Sequence, residues 1–175
     1  MPRAGLSKRS LVLLTHAVDD DDVVGRYRSK VLEVGGSSCL WWTGAVSARG
    51  HGRFWLGDTA GSDVVLIAHR FAWALEHGVD DLLSVPVLGH RCDNPLCQRI
   101  DPKHVQRSSP VQNASEWAAR RHTLGGPLRD SRGARGRSRD IRDQLREAAT
   151  PAQLSAAIRA GLLADQAQLP LWEDQ

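Results

Sequence analysis

Three observations predict an α+β fold with antiparallel strands. Short β-prone runs at residues 39–43, 53–56, 64–67 and 85–88 are set apart by turn chemistry such as Gly50-His51-Gly52. Helical periodicity appears on either side of these runs. A cysteine-rich loop separates the run at 85–88 from a return strand at 104–106 and so closes a hairpin.

Residues 1–18 read as a loose arm, with the apolar run at 11–14 too short for a signal segment or a membrane span. From Asp21 a helix is expected, because acidic residues suit its N-terminus and Val23, Val24, Tyr27, Val31 and Leu32 share one face. Gly35-Gly36 stops it. A second helix covers 69–77, with Phe71 and Leu75 able to pack, and Gly78 closes it. A third runs over 110–121, with Ser109 as N-cap and Pro110 in the first position. Residues 122–138 are rich in Gly, Arg and Ser without apolar periodicity, which predicts a flexible basic linker. Helices follow at 140–149 and 151–163, the second capped by Thr150. The expected organisation is an arm (1–20), a core domain (21–121), the linker (122–138) and a helical extension (139–175).

Composition narrows the functional classes. The 175 residues fit one ordinary domain with extensions, and an apolar share of 41% allows a modest core. Six Trp against two Phe and one Tyr point to indoles as core anchors, so Trp41, Trp42, Trp55 and Trp73 read as packing rather than base-stacking groups. The net charge is +3, and all but three of the 23 basic residues are arginine, which binds phosphate through two parallel donors. Arg129, Arg132, Arg135, Arg137, Arg139, Arg142 and Arg146 make a dense cationic stretch, suited to phosphate contact or to ordinary solvation. An odd number of cysteines, three, argues against a secreted disulfide framework. A cytoplasmic protein with metal-bound thiols, and without a membrane segment, is the simplest expectation.

The chemistry concentrates in residues 90–113. Cys92 and Cys97 are spaced for one metal ion, and His104 adds a third ligand. Tetrahedral structural zinc takes four protein ligands, and Cys39 is the remaining thiol, so Cys39, Cys92, Cys97 and His104 make a Cys3His set that uses every cysteine. Asp93 reads as a loop cap. His90 stands two residues before Cys92, and Asn113 lies in the first turn of the following helix. Phosphodiester hydrolysis needs a base to activate water and a cation beside the departing 3′ oxygen. Histidine serves as a base near neutral pH, and an amide oxygen can join phosphate oxygens around a hard cation such as Mg²⁺, with Mn²⁺ as a substitute.

This segment resembles the His-Me finger (ββα-metal, HNH-like) endonucleases, in particular their zinc-bound homing-endonuclease branch. The resemblance rests on His90, Cys92, Cys97, His104 and Asn113, with weaker landmarks at Cys39, Trp41-Trp42-Thr43-Gly44, Gly52-Arg53-Phe54 and Ala68-His69-Arg70. It covers residues 39–117. It implies a His-Me finger core with structural zinc and DNA cleavage leaving 3′-hydroxyl and 5′-phosphate ends. It further implies His90 as base, Asn113 on the catalytic cation and Arg53 as a clamp on the scissile phosphate. Arg70 is a further DNA-facing candidate. The chain departs from the family pattern by two extra residues between Cys97 and His104. A single His/Asn centre cuts one strand per encounter, so double-strand cleavage would call for a homodimer.

The tail adds a second resemblance. Gln168, Leu169, Leu171 and Trp172 follow the short motif by which bacterial polymerases and repair factors bind the sliding clamp. That motif implies a bacterial or phage-infected cell. The expected function is therefore a DNA endonuclease, with a clamp-recruited form in view. The alternatives are a zinc-stabilised DNA-binding module without turnover and a clamp-binding adaptor.

Overall fold

Local sequence builds a mixed array of helices and short antiparallel strands. In a computed structural model, residues 6–57, 64–123, 126–147 and 150–166 are described. The tail motif at 168–172 lies outside them.

Helix α1 (Lys8–Asp19) and helix α2 (Asp21–Arg28) open the fold. Residues 8–19 are thus not a loose arm. Ser7 caps α1 by accepting a hydrogen bond from the Ser10 amide at 3.1 Å, and Leu14 and Ala17 are buried. Asp20 caps α2 in the same way, accepting from the amides of Asp22 and Val23. Helix α2 also ends earlier than its apolar face suggests. Ser29 turns the chain, and Val31–Glu33 become strand β1, paired antiparallel with β2 (Leu40–Trp42). Valine and leucine at 31 and 32 satisfy either period, and the pairing with β2 decides between them.

Strands β3 (Ala45–Val46), β4 (Gly52–Trp55) and β5 (Val65–Ile67) form a second antiparallel sheet, with Phe54 opposite Leu66. Helix α3 (Ala68–His77) packs on it, and the short α4 (Val79–Ser84) packs against α3. Phe54, Phe71, Trp42 and Tyr27 meet at ring separations of 4.8–6.0 Å and form the aromatic centre of the core. Trp41, Trp42 and Trp73 are buried, whereas Trp55 is partly exposed. The indole of Trp42 needs Gly52 beneath it, since a Cβ there would lie 2.6 Å from Cδ1.

Strands β6 (Val87–His90) and β7 (Val105–Ser108) make the hairpin, and helix α5 (Pro110–Arg120) follows with Ser109 as its cap. Beyond it lies a single 3-10 turn, Pro127–Arg129. Helix α6 (Gly133–Arg146) then takes up the last six residues of the segment expected to be a flexible linker. Its inward positions are Arg137, Ser138, Ile141 and Leu145. Only two of these are apolar, so the face escapes a search for hydrophobic periodicity. Gly50, at φ +83°, brings the β3–β4 turn against α6, where a Cβ would lie 2.6 Å from the Ala134 carbonyl oxygen. Arg146 Nε donates to the Thr43 carbonyl at 2.7 Å. Helix α7 (Pro151–Gln166) starts with a reciprocal cap: Thr150 Oγ1 accepts from the Gln153 amide, and Gln153 Oε1 accepts from the Thr150 amide. No helix among the described residues is long and apolar enough to cross a membrane.

If α1 is part of the core, Leu14→Ala will lower unfolding free energy by about 2–5 kcal/mol, while exposed Val12→Ala will change it by less than about 0.5 kcal/mol. Urea titration reads both. Equal, negligible effects would return residues 8–19 to a dispensable arm.

Candidate metal centre and adjoining cleft

Four ligand-type side chains converge between β2 and the hairpin. The ligand atoms of Cys39, Cys92, Cys97 and His104 all lie within 4.8 Å of one another. Backbone hydrogen bonds make the convergence possible. The Trp42 amide donates to the Leu96 carbonyl at 3.0 Å, and the Gln98 amide donates to the Leu40 carbonyl at 2.8 Å. The loop is thereby stitched to β2 and carries Cys97 to the strand that Cys39 precedes.

The two extra residues before His104 are absorbed in a local turn. Asp101 Oδ1 accepts from the Lys103 amide at 2.7 Å, and the Asp101 carbonyl accepts from the His104 amide at 3.1 Å. The turn sends His104 back inward. Its Nδ1 lies 3.4 Å from Cys97 Sγ and 3.7 Å from Cys39 Sγ, while its Nε2 faces Asp101 Oδ2 at 4.0 Å. An imidazole with one nitrogen toward thiols and the other toward a carboxylate has the orientation of a metal ligand.

The thiols are electrostatically coupled. Hydrogen bonds from Cys92 and Cys97 hold the Cys39 thiol far below its ordinary range, down to about 2. The same contact with Cys39 pushes Cys92 up to about 11 and raises Cys97 as well. Ionising one of these neighbouring thiols thus opposes ionising the other two. A divalent cation would let all three ionise, and the donor set, three sulfurs and one imidazole, suits zinc. The cluster could therefore hold a metal ion such as zinc.

The hairpin projects His90 from the end of β6 into a second constellation. His90 Nε2 is 3.1 Å from His69 Nδ1 on α3, with the two rings edge to face at 4.5 Å. The His51 ring lies 5.5 Å from that of His90. Burial, then the nearby His51, holds His90 down to about 3. Burial followed by His90 holds His69 well below its ordinary value. Both imidazoles are neutral at neutral pH. His90 Nδ1 is enclosed and has no hydrogen-bond partner.

These groups border a cleft of about 1070 Å³. His51, His69, His90 and Asn113 all contribute to its wall. Asn113 is in the first turn of α5 and lies over β6, with its Oδ1 3.5 Å from where a Cβ on Gly89 would stand. Arg120 fixes this helix to the loop after His90. It pairs with Asp93 at 2.9 Å and with Glu116 at 3.1 Å, and donates to the Arg91 carbonyl. Asp93 takes a left-handed φ of 51° there.

The structure brings Cys39, Cys92, Cys97 and His104 together, and His90, Asn113 and Arg70 into the adjoining cleft. Arg53 is not brought there. It is exposed on β4, between buried Gly52 and Phe54, and forms no part of the cleft wall. Sequence reasoning missed His69 as the partner of His90, and missed Arg120 and Arg137 in the wall. The strongest available signal was Ala68-His69-Arg70, noted as a landmark but not as a contact of His90.

No family model matches the chain, and no solved structure matches it. One curated protein does: Protein 7.7 of Escherichia phage T7, 31% identical over 85 residues. The match spans 47% of this chain and 56% of the phage protein, so it covers little more than half of that relative's length.

Metal analysis of the purified protein is expected to find one zinc per chain. Cys97→Ser should lose it and lower Tm by roughly 6–12 °C, equivalent to about 3 kcal/mol at this size. A metal-free wild type whose Tm ignores chelator would mark the cluster as buried thiols only.

Proposed function

We propose that this chain is a metal-dependent DNA endonuclease of the His-Me finger type. The observation that carries the reading is the placement of His90 and Asn113 on one cleft wall, at the mouth of a hairpin that the Cys3His cluster ties down. Charge supports the choice of substrate. Arg49, Arg70, Arg120 and Arg137 line the cleft, against Asp93 as its acidic group, and this balance favours a polyanion.

In this reading zinc fills the Cys3His set and has a structural task. His90 is the general base. The 3.1 Å contact between His90 Nε2 and His69 Nδ1 fixes the ring, and in the tautomer with the proton on Nε2 the lone pair stands on Nδ1, the atom that has no partner. To take the proton of the attacking water, that enclosed nitrogen has to be uncovered toward the cleft when DNA binds. The Asn113 amide oxygen, beside β6, is the protein ligand for Mg²⁺ or Mn²⁺. When bound there, such a cation would supply positive charge beside the departing 3′ oxygen. The N-terminal turn of α5 adds partial positive charge on the same side. Recruitment by a sliding clamp, through Gln168, Leu169, Leu171 and Trp172, belongs to the same proposal and rests on sequence alone. The phage relative agrees with a phage-infected bacterial cell as the setting.

A second reading, a zinc-held DNA-binding module without turnover, is favoured by one observation. His90 Nδ1 is enclosed rather than open to the cleft.

Incubation with supercoiled plasmid separates the two. Wild type with Mg²⁺ is expected to nick it, chelator to abolish nicking, and His90→Ala to slow it by about 10²–10⁴-fold while retaining zinc. Asn113→Ala should show a comparable loss that raised Mg²⁺ partly reverses. DNA binding without nicking under Mg²⁺ or Mn²⁺ would favour the module.

A further inference from the structure

Arg137 is an unusual residue for the interior of this protein. It is 5% exposed, yet it sits on a helix whose sequence looks like a solvated linker. Its Nε is enclosed and has no hydrogen-bond partner. Its carboxylate contact is Asp130 Oδ2, at 3.4 Å from Nε and without hydrogen-bond geometry.

Asp130 is already engaged. Arg132 holds both of its oxygens, through Nε to Oδ1 at 2.9 Å and Nη2 to Oδ2 at 2.7 Å. The Arg132 amide donates to Oδ1 as well, at 3.0 Å. Arg132, and not Arg137, is therefore the cation that matches this carboxylate. A guanidinium nitrogen enclosed without an acceptor is costly. Burial accordingly pulls Arg137 below its ordinary value.

Its position is built rather than incidental. Ile141 and Leu145, one and two turns further along α6, are buried in the core. On the other side Gly50 admits the backbone of Ala134 at a distance no side chain would tolerate. These contacts lock α6 so that Arg137 forms part of the cleft wall shared with His90 and Asn113.

We infer that Arg137 is the residue that grips a DNA phosphate in this cleft, the task that family resemblance assigns to Arg53. The inference deepens the endonuclease reading and rests on it for the identity of the anion. A guanidinium fork matches two phosphate oxygens, and a phosphate supplies the acceptor that Arg137 Nε lacks.

The test uses the full chain with a short DNA duplex and supercoiled plasmid. Duplex affinity is measured by anisotropy across salt concentrations in the His90→Ala background, with and without Arg137→Gln. Nicking is measured in the wild-type background, and zinc content and Tm check the fold. Arg137→Gln is expected to weaken duplex binding by about 10- to 100-fold and to reduce the salt slope by about one. Nicking should slow by a similar factor, and guanidinium ion should restore part of it to Arg137→Gly.

Unchanged affinity, salt slope and rate in a zinc-loaded Arg137→Gln would overturn the assignment while leaving the endonuclease reading intact. A wild type that binds duplex without nicking, and loses affinity and slope on Arg137→Gln, would sink the endonuclease reading and keep Arg137 as the phosphate grip. Should Arg137→Gln lose zinc or fail to fold, Arg137→Lys decides, because it keeps the charge and gives up the fork. About tenfold weaker binding supports the assignment; wild-type binding and rate overturn it.

Discussion

Cys39 precedes β2, and Cys92, Cys97 and His104 belong to the loop of the β6–β7 hairpin, so their convergence within 4.8 Å ties two distant parts of the chain together. Much of the site's geometry descends from that tie. The hairpin carries only four paired residues on each side, too few to be stable by itself. Held to β2 through the loop, it gives His90 a fixed direction. Backbone bonds from Trp42 and Gln98 to the facing chain share the work, so the loop is in register with β2 at the cluster. The aromatic centre around Trp42 lies immediately behind. Its rigidity therefore passes to the cluster through one strand.

The second dependence runs through helix α6. A core this small gains from every covering element, and α6 covers the β3–β4 turn with only Ile141 and Leu145 as apolar contacts. A polar contact completes the join, from Arg146 Nε to the Thr43 carbonyl. Contacts of this kind hold an orientation well but add little net stability. The C-terminal part of the chain therefore serves as a wall of the cleft while Ile141, Leu145 and Leu154 join the core.

What the sequence made legible follows from how each feature is encoded. The metal-type ligands were readable because cysteine spacing and count carry chemical meaning without knowledge of the fold. Helix α5 was readable because Ser109 and Pro110 mark its start locally. Strand β1 was not, because Val31 and Leu32 suit a helix face and a strand equally, and only Trp41 and Trp42 across the sheet decide. Helix α6 was hidden by its composition, since its inward face is partly arginine and serine. Helix α1 was within reach: Ser7 as a cap, with Leu11, Leu14 and Val18 at helical spacing, is a local signal. The pairing of His69 with His90 had no local signature, because it depends on the start of α3 meeting the end of β6, 21 residues further along the chain.

Position in the fold also separates arginines that composition treats alike. Arg53 alternates outward between Gly52 and Phe54 because strand geometry sends neighbouring side chains to opposite faces. Arg120 spends its charge on Asp93 and Glu116, and thereby joins α5 to the loop after His90. Arg132 is matched to Asp130, while Arg137 is enclosed beside the same carboxylate with its Nε unmatched. A cationic stretch in a sequence therefore resolves into groups that hold the protein together and groups left for a ligand. Hydrogen-bond inventory separates the two, because a buried guanidinium that the protein itself satisfies has nothing left to offer an incoming phosphate.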